Sequence, residues 1–133
     1  MARPHHDLKV WQDAMALARA VYAVSARFPP DERYGLTSQM RRAAVSVPSN
    51  IAEGCGRGSG RELLQFLYVA RGSLAELETQ LRLADDFGFC DSTVVLQKVE
   101  SLFGVLAGLI KVQRDKATLS QVAKRPTCKP RSG

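Results

Sequence analysis

The sequence predicts an all-α protein, an up-down left-handed four-helix bundle, and three observations carry that expectation. First, apolar residues recur at alternating spacings of four and three in separate segments, the period of a helix with one buried face. Second, proline, glycine and capping residues punctuate the chain between those segments. Third, Leu63, Leu67, Ala70, Leu74, Leu77, Leu81 and Ala84 hold a strict four-three rhythm, the pattern of a seam between near-parallel helices that wind left-handed about one another.

The helices are expected at about 7–28, 37–53, 60–87 and 92–118. Met1 to His6 reads as a loose arm and Asp7 as the N-cap of the first helix. That helix carries two adjoining apolar stripes: Leu8, Trp11, Met15, Ala18 and Tyr22 in one, Val10, Ala14, Leu17, Val21, Val24 and Phe28 in the other. Pro29 and Pro30 stop it, because proline offers no N–H and disfavours helical backbone in the residue before it.

Thr37 is expected to cap the second helix and Gly54 to end it, with an interruption and a kink at Pro48. Met40, Ala44, Val47 and Ile51 mark its apolar face. About 100° round the same cylinder runs a polar stripe of Gln39, Arg42, Ser46, Ser49, Asn50 and Glu53. A solvated face would ordinarily carry long Lys and Glu side chains, so short Ser and Asn here point to polar groups held against other protein.

Gly-Cys-Gly-Arg-Gly-Ser at 54–59 is glycine-rich, yet it fits neither phosphate-loop pattern and reads as a turn between helices. Ser59-Gly-Arg-Glu62 is a capping box that opens the third helix. Gly88 ends that helix, and Asp91 or Ser92 caps the fourth. In the fourth, Val95, Val99, Leu102, Leu106 and Leu109 form a seam that Leu96, Phe103 and Ile110 widen. Gly104 and Gly108 either permit close backbone approach or are simply tolerated.

The words Leu-Thr-Ser-Gln at 36–39, Arg-Arg-Ala-Ala at 41–44, Pro-Ser-Asn-Ile-Ala-Glu-Gly at 48–54 and the run from Phe66 to Leu81 closely resemble the proteins encoded in intervening sequences of bacterial 23S rRNA genes. The likeness extends from about Asp7 to Lys111 and takes in the accessory protein of diversity-generating retroelements. It implies a homopentameric ring of up-down bundles with no established catalysis.

A chain of 133 residues, 45% hydrophobic and 24% charged, fits one soluble domain with its own core. The net charge of +6 is unevenly spread: residues 124–133 hold Lys124, Arg125, Lys129 and Arg131 and no acid, which leaves +2 for residues 1–123. That tail, with two prolines and no apolar period, is expected to be disordered. Apolar runs stay short of the ~20 residues that span a bilayer, and the N-terminus lacks a signal-peptide core, so a cytoplasmic protein without a membrane partner is expected. Cys55, Cys90 and Cys128 have no zinc spacing and suit free thiols in a reducing compartment.

No catalytic constellation is legible, so no enzyme, cofactor or metal is expected. The two histidines, His5 and His6, sit together near the terminus and offer no base to a Ser or Cys nucleophile. Arginine outnumbers lysine thirteen to six, and Arg41, Arg42, Arg57, Arg61 and Arg71 gather around the second and third helices. A guanidinium fork suits either phosphate or a carboxylate, so these residues present RNA or DNA with a basic surface, or Arg41 or Arg42 pairs with Glu53, Glu76 or Glu78. Two functions follow: an oligomer that binds nucleic acid through arginine, or an adaptor that binds a protein partner. Assembly is expected on either reading, because a monomer would expose Val10 and Val24, Phe66 and Tyr68, Leu96 and Phe103 beyond one bundle's needs.

Overall fold

In the computed structural model, which describes residues 3–124, all four segments expected to be helical are helices. They are α1 at Lys9–Ser25, α2 at Leu36–Gly56, α3 at Gly60–Asp86 and α4 at Thr93–Lys124, with short 3-10 turns at Pro4–Asp7 and Pro30–Glu32. No strand occurs among the described residues. Cross-helix pairs fix the directions. Ser46 meets Ser73 at 2.8 Å while Gly54 lies beside Leu63 and Phe66, so α3 runs against α2. Gly60 lies near Gln113 and Asp85 bonds Ser92, so α4 runs against α3. Contacts between α1 and α4 close the ring of neighbours, and Phe28 at the end of α1 stacks on Phe89 just before α4, 5.6 Å between ring centres.

The core is the axis these helices share. Leu67, Ala70, Leu74, Leu77, Leu81 and Ala84 of α3 are wholly buried, so the seam is its central rib. Val10, Ala14, Leu17 and Val21 face it from α1, Met40, Ala44, Val47 and Ile51 from α2, and Val95, Val99, Leu102, Leu106 and Ile110 from α4. A fully buried Leu or Ile contributes about 1.5–3 kcal/mol relative to exposure, which makes this rib the main source of stability.

Several local expectations are corrected. The arm before α1 is not loose in its described part: Pro4–Asp7 forms a 3-10 turn, His5 packs edge-on and His6 tilted against Trp11, and Gln12 donates to the His6 carbonyl at 2.8 Å. Leu8 rather than Asp7 precedes α1, with no side-chain cap. Thr37 is buried inside the first turn of α2; the cap comes instead from Glu32, whose carboxylate accepts the Leu36 N–H at 3.0 Å. The expected interruption at Pro48 is absent, since α2 continues to Gly56 with the proline buried inside it. Gly54 does not end α2. It is buried where α2 meets α3, and a Cβ there would stand 2.9 Å from the Phe66 Cβ. Val10 is core rather than surplus, and at the start of α3 Leu64 is buried more deeply than Leu63. Finally, α4 continues past 118 to Lys124, while residues 125–133, including Cys128, lie outside the described residues.

Other signals hold. Gly88 adopts φ +77°, with its N–H bonded to the Asp85 carbonyl and the Phe89 N–H to the Ala84 carbonyl, the paired bonds of a Schellman ending. The Ser59 hydroxyl accepts the Glu62 N–H at 3.2 Å. Asp91 accepts from the Thr93 backbone and hydroxyl at the start of α4, while buried Ser92 turns its hydroxyl to Asp85 at 2.6 Å. Ser92's two donated bonds hold the Asp85 carboxyl below its ordinary range. Open space surrounds the positions a Cβ would take at Gly104 and Gly108, so no backbone approaches them within the subunit. An 18-residue window of α4, with a mean hydropathy of 1.5, is long and apolar enough to cross a membrane; Val95, Val99, Leu102, Leu106 and Ile110 of this helix are buried in the core.

Candidate nucleic-acid interface

The five arginines singled out in the sequence do not form one patch. Arg42 lies in α2 and Arg57 just past its end, fifteen residues apart, roughly 22 Å along the helix axis at ~1.5 Å per residue. Arg57 and Arg61 therefore sit at the α2–α3 turn, Arg41 and Arg42 toward the opposite end of the bundle, and Arg71 midway along α3. Each also has its own local chemistry. Arg57 pairs with Glu53 at 3.0 Å and lies over the Phe66 ring, a solvated pair on one helix that contributes only tenths of a kcal/mol. Arg71 lies over Tyr68 at 5.0 Å. Arg61 is exposed and lines a shallow hollow between the start of α3 and the outer turns of α4.

Arg41 pairs with none of the expected acids. Its Nε donates to the Ser25 hydroxyl at 2.9 Å, a terminal nitrogen reaches the Tyr22 carbonyl, and the guanidinium carbon lies 4.5 Å from the Tyr22 ring centre. A cation over an aromatic face at the C-terminal end of α1 answers both the ring's negative face and the negative end of the helix dipole. Glu76 is used otherwise, accepting from Gln80 at 3.1 Å. Arg42 is exposed and makes no ion pair among the described residues.

The polar stripe of α2 divides. Ser46 and Asn50 are half-buried against α3: Asn50 donates to the Ser46 carbonyl at 2.8 Å and to its hydroxyl at 2.9 Å, and that hydroxyl is hydrogen-bonded to the Ser73 hydroxyl. Gln39, Arg42, Ser49 and Glu53 are exposed. Farther along α3, the Gln80 side-chain oxygen is buried without a partner among the described residues.

Two open surfaces flank Tyr22. One is an apolar groove of about 550 Å³ lined by Trp11, Met15, Ala18, Val45, Pro48 and Ala52, with His5, Arg19, Tyr22 and Ser49 at its edges. The other is a cleft of about 500 Å³ lined by Tyr22, Arg33, Tyr34, Thr37, Ser38, Arg41, Arg42 and Val45. Sequence reasoning missed this second cleft. Its sequence signal is the adjacent Arg33-Tyr34 pair in the connector between α1 and α2.

The arrangement is that of an antiparallel four-helix bundle with arginine toward both ends of α2. The profile of the 23S rRNA-intervening sequence protein family matches residues 6–109. The chain belongs to that family. No curated protein matches it.

Proposed function

We propose that this protein is a non-catalytic, cytoplasmic homo-oligomer that binds RNA or DNA through arginine side chains repeated around a ring. The observation that carries the reading is that Arg41 and Arg42 form no ion pair among the described residues, and that Arg41 is fixed in place by hydrogen bonds instead. Charge left uncompensated on a packed framework is available to phosphate, and repetition by symmetry multiplies the field of a weakly charged body. The α1–α2 groove supports assembly, because it leaves Trp11, Met15 and Val45 partly open on a chain that has already filled its core. A heterologous contact repeated around a closed axis covers such a surface once per subunit, and five subunits is the number that family resemblance suggests. Within each subunit the four-three seam favours a left-handed bundle, and Pro48, which leaves the Ala44 carbonyl without its helical donor, bends α2.

Size-exclusion chromatography with light scattering, run with and without single-stranded RNA at low and high salt, tests this reading. A multimer that takes up RNA at low salt and releases it at high salt is expected; a multimer indifferent to RNA at low salt would overturn the nucleic-acid function. The second reading, an adaptor for a protein partner, is favoured by the outer turns of α4, where Val112, Leu119 and Val122 are exposed.

A further inference from the structure

We infer that the cleft between the end of α1 and the start of α2 is a single-strand site, in which Tyr34 stacks a nucleobase while Arg33 and Arg42 hold the flanking phosphates. The inference rests on the nucleic-acid reading above and assigns it a place and a strand preference. Tyr34 is 88% exposed, on the short connector between Glu32 and α2. A tyrosine left this open buries little of its apolar area, so packing does not explain it. Its ring does have a cationic neighbour: the Arg33 guanidinium lies 5.6 Å from its centre. Across the cleft the pairing recurs in more rigid form, with Arg41 over Tyr22 at 4.5 Å. Two aromatic faces and three guanidinium groups thus border one concavity of about 500 Å³.

No acid lines that concavity. The nearest acids in sequence are Asp31 and Glu32, and the Glu32 carboxylate is occupied by the Leu36 N–H at 3.0 Å. The cleft is therefore attractive to anions, and its size falls within the ordinary range for a small-molecule or nucleotide site. Exposed aromatic faces beside arginine distinguish single strands from duplexes: a base in a duplex is already stacked on both sides, whereas an unpaired base gains a platform. The recognition is indifferent to sequence, because every base has a π face and every nucleotide a phosphate.

Arg41 is the wrong residue to test, since it also ties α2 to the end of α1 through Ser25. Tyr34, Arg33 and Arg42 are exposed and can be changed without disturbing the core. The experiment uses the full chain and measures anisotropy of a fluorescein-labelled single-stranded oligouridylate and of a labelled RNA duplex of equal length, across a salt series. Tyr34→Ala is expected to weaken the single strand about fivefold to a hundredfold, the range of one lost stacking contact, while Tyr34→Phe binds as the parent does. Arg33→Gln and Arg42→Gln should each lower the salt slope by roughly 0.7, one phosphate contact on a single strand. Circular dichroism melts of the variants should match the parent. Parent-like binding by Tyr34→Ala, or a preference for duplex, overturns this site. If Arg57→Gln with Arg61→Gln abolishes binding while Tyr34→Ala does not, nucleic-acid binding stands and this cleft is excluded. If the parent binds neither probe at low salt, the broader reading falls with it.

Discussion

The two stripes of α1 are adjacent on one helix and have opposite fates. Val10, Ala14, Leu17 and Val21 are 0–3% exposed, on the side of α1 that turns into the bundle between α2 and α4. Leu8, Trp11, Met15 and Ala18, about one position round, are half-buried, and Tyr22 is 44% exposed. Both stripes look equally apolar in sequence. The first is covered by the chain's own fold and the second borders an open groove, so the difference separates side chains that stabilise the subunit from those that make it associate.

The largest effect that sharpens this contrast is expected in the core. Leu17→Ala should cost about 2–5 kcal/mol of unfolding free energy by urea titration, because a fully buried leucine leaves a cavity, whereas Met15→Ala on the outer stripe should cost the isolated subunit less than about 1 kcal/mol. Equal losses would erase the distinction. At the next level, Gly54→Ala should destabilise by up to about 2 kcal/mol: its Cβ would crowd the Phe66 Cβ at 2.9 Å and Leu63 Cδ1 at 3.0 Å, a cost of about 1–3 kcal/mol that the ~1 kcal/mol gained in helix propensity only partly offsets. Gly88→Ala follows at roughly 1–2 kcal/mol, the cost of holding an L side chain in left-handed backbone at φ +77°. Thermal melts of the two glycine variants, measured together, rank close helix approach against backbone strain.

The smallest effect is at Asp85, which takes two bonds from Ser92. These bonds lower the folded-state pKa, so the stabilisation is present above the ordinary aspartate value of about 3.9 and is lost as pH falls through the lower folded value. Asp85→Asn should therefore flatten the acid limb of the stability curve below about pH 4 and leave its shape near neutrality unchanged. A parent-like acid limb in the variant would show that the link from α3 to α4 does not titrate with stability.

Much of the fold was legible because its signals are local. The seam of α3 repeats within one helix, and Gly88 announces its own ending in one residue. What escaped depends on neighbours distant in sequence. Nothing within α1 says which stripe will turn into the bundle. Gly54 looks like a stop until Leu63 and Phe66 are seen against it. Thr37 has the chemistry of a cap, but Glu32 supplies the cap from the preceding turn. The candidate site was half legible: arginine was evident, but its division between two ends of α2 needs the helix length, and the Tyr22 and Tyr34 platforms appear only when the α1–α2 connector brings them to one cleft.

The central claim is that Trp11, Met15 and Ala18 of the outer stripe of α1, with Pro48 and Ala52 of α2, are covered by another subunit. Light scattering on the parent and on Met15→Glu, which puts a charge into the groove, tests it most directly. The parent should elute as one species at a multiple of 14.6 kDa, and Met15→Glu as a folded species of lower mass with unchanged helix content. A parent that is a single 14.6 kDa particle, or a Met15→Glu protein that assembles as the parent does, would contradict it.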